Sequence, residues 1–82
     1  IAYVDGTFFD SSELPGRNLD LIPHPLMVQT MDQLKDLAIS KPGMIRFIHL
    51  NHTNPALHDP MTVREIESRG FSIAYPGEHQ LL

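Results

Sequence analysis

The sequence predicts an α/β fold with a parallel sheet, and three observations carry that expectation. Short β-favouring apolar runs occur at residues 1–4, 44–50 and 71–75. Between them lie segments whose apolar residues recur at helical spacing. Strands that alternate with helices imply parallel neighbours joined by right-handed crossovers, with the helices packed on the sheet. The predicted order is β-loop-α-β-α-β-β.

The first strand, Ile1, Ala2, Tyr3 and Val4, reads as a buried strand that stops at the turn Asp5-Gly6. From Thr7 to Pro25 the chain is rich in Ser, Asp, Pro and Gly, which favours turns and gives too little apolar periodicity for a helix. A helix is expected next, on the spacing of Leu26, Met27, Thr30, Met31, Leu34, Leu37 and Ala38. Pro23 and Pro25 restrict its approach and Pro42-Gly43 closes it. Met27 and Met31, at i and i+4, are assigned to its core face.

The second strand is followed by the polar turn Asn51-His52-Thr53-Asn54-Pro55. A second helix follows Asp59 as N-cap, with Pro60 in the first helical position, Val63 and Ile66 on the apolar face and Arg69-Gly70 at the end. Its charged residues Arg64, Glu65, Glu67 and Arg69 read as a solvated face. After the third strand, Pro76-Gly77 fits a type II turn, and residues 78–82 are expected to return as a short strand.

Composition narrows the function classes. The chain has 82 residues and no cysteine, so His, Asp and Glu are its only strong metal ligands, in keeping with a cytoplasmic protein. A formal charge of -4, with its six Lys and Arg unclustered, argues against a standing grip on nucleic acid or anionic membrane. No apolar stretch approaches the ~20 residues that span a bilayer. A unit this size buries only about 60% of its unfolded surface, so extra support is expected. The sequence opens on Ile1 in an apolar run, which reads as a missing natural start.

The candidate chemistry gathers at one sheet edge. In the predicted topology Asp5 lies just past the first strand and His52 just past the second, at the carboxyl ends of parallel strands where ligands of open α/β sheets bind. One aspartate with one or two histidines is ligand chemistry suited to zinc, iron or manganese. The competing readings are structural: Asp5 as a turn residue, His24 as a solvated ring between two prolines, and His52 as part of a tight turn. His49, three residues before His52 and in line with Ile45 and Phe47, is expected to be a packed, hydrogen-bonded histidine. His58 and His79 have no evident partner in sequence.

Three segments carry a resemblance: Val4-Asp5-Gly6-Thr7-Phe8-Phe9, Ile22-Pro23-His24-Pro25, and the run from Arg46 through Asn51-His52-Thr53-Asn54-Pro55. In order and spacing they resemble metallo-β-lactamase-fold hydrolases, most nearly the pyrroloquinoline quinone biosynthesis protein B branch. The resemblance implies that residues 1–82 form a single partial domain, the carboxyl-terminal half of an αββα sandwich. The amino half, with its His-x-His-x-Asp-His metal motif, would lie elsewhere. It further implies that Asp5 and His52 are metal ligands, Asp5 bridging two metals, and that His24 is a catalytic residue that helps protonate the leaving group.

The implied cofactor is one or two divalent metals in the intact parent, zinc first and iron or manganese as alternatives. The implied substrate is a small molecule. With two ligands of its own, the isolated chain is expected to bind metal weakly and to be inactive. One position departs from the pattern: the quinone-biosynthesis branch tends to carry asparagine where this chain has His52, the ordinary ligand of hydrolytic relatives. Two other readings stand beside this one. The first is a non-catalytic fragment that pairs as a homodimer through an uncovered sheet face. The second is a ribonuclease Z or phosphodiesterase-like hydrolase, for which the acidic balance is unfavourable.

Overall fold

A computed structural model of the chain describes residues 1–14, 16 and 24–74. They form a small α/β domain with three helices on a three-stranded parallel sheet of order β1-β2-β3. The strands are β1 (Ala2–Asp5), β2 (Ile45–Ile48) and β3 (Ser72–Ile73). The helices are α1 (Met27–Gln33), α2 (Lys35–Ser40) and α3 (Pro60–Ser68). In register, Val4 lies opposite Phe47, Asp5 opposite Ile48, and Phe47 opposite Ile73.

Strand alternation sorts the sheet into two faces. One face supplies Ile45 and Phe47 to the core, with Val4 and Ile73 packed against them. Met27 and Met31 of α1, Ala38 of α2 and Ile66 of α3 join that same cluster. All three helices therefore share one face. Phe47 and Phe71 meet with ring centroids 5.6 Å apart. The opposite face carries Tyr3, Asp5, Arg46, Ile48 and Ser72, each half-buried, and none of them belongs to the core cluster.

Several expectations are corrected. Ile1 is 74% exposed rather than buried, because β1 is an edge strand and its pairing starts at Ala2. Asp5 is the last residue of β1, not the first beyond it. The single helix expected from Leu26 to Ala38 is two, broken at Leu34, whose φ of -109° and ψ of 14° leave the helical region. Ala38 of α2 packs closely on Gly70 at the end of α3, where an added Cβ would lie 2.5 Å from the Ala38 carbonyl oxygen. Leu37, expected on the buried face, is 43% exposed.

The segment after Gly6 is not wholly irregular either. It holds a 3-10 turn at Ser11–Glu13, capped by Asp10, and a parallel bridge between Phe8 and Leu26. Through that bridge the Met27 and Val28 amides donate to the Phe8 and Phe9 carbonyls, giving the first turn of α1 partners it would otherwise lack. At α3, the Asp59 carboxylate accepts from the Met61 amide at 3.0 Å, as an N-cap should, and Gly70 ends the helix at φ 89°. The third strand is shorter than expected. Tyr75, the turn at Pro76-Gly77, the returning strand at 78–82, and Ile22 and Pro23 of the second motif lie outside the described residues.

Candidate functional site

The site is built from the two loops that leave the carboxyl ends of β1 and β2. Pairing continues past the strands, with the Gly6 amide donating to Ile48 at 2.8 Å and the Asn51 amide to Thr7 at 2.9 Å. Gly6 permits this approach. A Cβ there would fall 2.9 Å from the Phe47 Cβ, closer than real side chains come.

The structure brings two of the three candidate residues into contact. His24 Nδ1 lies 3.1 Å from Asp5 Oδ1. Thr7 completes the group, its hydroxyl donating to Asp5 Oδ1 at 2.9 Å and its amide to Asp5 Oδ2 at 3.3 Å. Thr7 Oγ1 also lies 3.3 Å from His24 Nδ1. The Phe8 ring meets the His24 ring edge-on at 6.2 Å. The His24 side chain is 43% exposed and that of Asp5 27%, so the pair sits at the surface of the edge, open to a ligand.

His52 lies in the neighbouring turn and is exposed, and its backbone carbonyl accepts from His58 Nε2 at 2.7 Å. His58 therefore has a partner that sequence did not suggest. Among the described residues, no group of three or more His, Asp or Glu side chains could hold a metal ion. Asp5, His24 and His52 thus do not form a complete ligand set between them. His49 departs from its expectation: it leaves β2 with φ 62° and is exposed instead of packed. A left-handed residue here turns the chain out of the strand, so the alternation that would have buried its ring ends at Ile48.

Sequence reasoning read Thr53 and Asn54 only as members of a polar turn, and the structure shows them holding the two loops together. Asn54 is fully buried, and its Nδ2 donates to the Gly6 carbonyl at 2.8 Å while its Oδ1 accepts from Ala56 at 2.9 Å. Thr53 donates to Glu13 Oε1 at 2.8 Å and accepts from Asn51 Nδ2 at 2.7 Å, fastening the 3-10 turn over the same edge. The available signals were Asp5-x-Thr7 spacing, which suits a carboxylate that accepts from the second residue on, and Asn54 before Pro55, which suits a cap.

No protein-family model matches the chain, and neither a curated protein nor a solved structure is significantly similar to it.

Proposed function

We propose that the chain is the carboxyl-terminal half of a cytoplasmic, metal-dependent hydrolase of the metallo-β-lactamase superfamily that acts on a small molecule. The observation that carries this reading is the contact of the Asp5 carboxylate with the His24 imidazole at the carboxyl edge of a parallel sheet, beside the turn that bears His52. The donor types, carboxylate oxygen and imidazole nitrogen, suit zinc, iron or manganese. Among the described residues their number falls short of a catalytic site, so an amino half would supply the remaining ligands.

In this reading Asp5 and His52 hold the metal, which when bound would lower the pKa of a water and polarise the substrate. His24 gives its proton to the leaving group. Asp5 orients the ring by accepting from Nδ1. Thr7 holds the carboxylate in place from the loop.

The test uses the natural gene product with its metal and an activated phosphodiester or ester as substrate. His24→Ala should lower kcat by about 10²-fold or more while metal content is unchanged. Equal turnover by wild type and variant would remove His24 from the mechanism.

A second reading is self-association of the chain through the sheet face that lies opposite the core cluster and carries Ile48. Light scattering after size exclusion separates the two, since a monomeric chain leaves self-association without support.

A further inference from the structure

We infer that Glu13 is a positioning residue for the turn that bears His52, its carboxylate tying the tip of that turn to the loop after β1. The inference rests on the hydrolase reading for what the turn is held to do, which is to present a metal ligand. The tie itself is a property of this chain.

The turn has a fixed base and a tip that needs holding. The Asn54 amide donates to the Asn51 carbonyl at 2.9 Å, which closes a β-turn with His52 and Thr53 as its central residues. Both base residues are bonded to the first loop, the Asn51 amide to the Thr7 carbonyl and Asn54 Nδ2 to the Gly6 carbonyl. At the tip, His52 and Thr53 are both exposed. His58 reaches the tip through the His52 carbonyl, but it stands on the same loop, so that bond does not fix the tip relative to β1.

Glu13 supplies a bond across. Its two oxygens have separate partners: Oε2 accepts from the Phe9 amide of its own loop, and Oε1 accepts from the Thr53 hydroxyl at 2.8 Å, across 40 positions. An ionised carboxylate can only accept, so the hydroxyl hydrogen of Thr53 goes to Glu13 and a lone pair of Oγ1 takes the hydrogen of Asn51 Nδ2 at 2.7 Å. The Phe9 bond keeps the carboxylate from turning away. The 3-10 turn that carries it is held by the Asp10 cap at one end and by buried Leu14 at the other. Because the bond to Thr53 is exposed, its loss should loosen the tip and leave the fold intact.

The experiment measures 15N relaxation in the metal-free natural gene product and, in parallel, zinc affinity by competition with a chelator. In wild type the His52 and Thr53 amides should have order parameters of about 0.85. In Glu13→Ala and in Thr53→Val they should fall below about 0.6 while Phe47 is unchanged. Zinc should then bind about tenfold more weakly, the effect of having to order one residue on binding. Glu13→Gln should stay close to wild type in both measurements, because its amide oxygen can accept from Phe9 and its NH2 can donate to the second lone pair of Thr53 Oγ1. A tip as rigid in Glu13→Ala as in wild type overturns the inference, and so does a Glu13→Gln tip as mobile as that of Glu13→Ala. A loosened tip with undiminished zinc affinity also overturns it, provided that His52→Ala loses zinc. If His52→Ala binds zinc as wild type does, the hydrolase reading fails instead, and the order parameters alone decide whether Glu13 ties the turn.

Discussion

The buried side-chain amide of Asn54 donates to the backbone carbonyl of Gly6 at 2.8 Å, joining residues 48 positions apart. Its carbonyl oxygen meanwhile caps the 3-10 turn Pro55–Leu57 through the Ala56 amide. One residue therefore fixes the loop after β1 against the loop after β2, and with it the backbone on which Thr7 is carried.

Asn54→Ala should be among the most damaging single changes in the chain. It leaves the Gly6 carbonyl without its side-chain donor and the Ala56 amide without its acceptor, each a loss of about 1–3 kcal/mol when buried. The expected total is about 3 kcal/mol, a large part of the roughly 4–12 kcal/mol that a domain of this size has. Thr53→Ala, one residue away but exposed, should cost under about 1 kcal/mol despite its bond to Glu13. Urea unfolding of the two variants beside wild type checks the contrast.

Gly70 and Gly43 both have positive φ, 89° and 80°, and differ in what surrounds them. A Cβ at Gly70 would lie 2.5 Å from the Ala38 carbonyl oxygen, whereas at Gly43 the nearest atom is Ser72 Oγ at 3.9 Å. Gly43→Ala should therefore cost only the backbone strain, about 1–2 kcal/mol. Gly70→Ala must also push the Ala38 backbone of α2 away from Gly70, and should cost at least about 3 kcal/mol or prevent folding. Thermal melts of the two variants should fall in that order, and equal melts would contradict the close packing of Ala38 on Gly70.

Phe47→Ala should cost about 3–5 kcal/mol, since the ring is fully buried in the core and packs beside Phe71. Met61→Ala should change stability by no more than about 0.5 kcal/mol, since that side chain is 69% exposed. Denaturant midpoints for the pair test where the core lies.

The elements that sequence revealed are those decided by local chemistry. Met27 and Met31 were placed in the core by their spacing and are 0% and 1% exposed, and Asp59-Pro60 and Arg69-Gly70 marked the ends of α3. The parallel sheet followed from the alternation of elements. Asp5 and His24 were singled out, but nothing in a one-dimensional pattern says that they touch across 19 positions. What escaped depended on distant contacts. The exposure of Ile1 follows from the edge position of β1, and the break at Leu34 has no signal in the apolar spacing. Asn54, read as a turn residue, is buried only because the first loop closes over it. His49 was placed by alternation, which a single left-handed residue cancels.

Metal content tests the proposed function most directly. It is measured on the natural gene product by elemental analysis, for wild type, Asp5→Ala and His52→Ala, with the 82-residue chain alone as reference. The expected result is one or two metals per wild-type molecule, loss of metal in each variant and little metal on the isolated chain. Full metal content in both variants would contradict it, leaving Asp5 and His52 as turn residues in an α/β domain whose chemistry lies elsewhere.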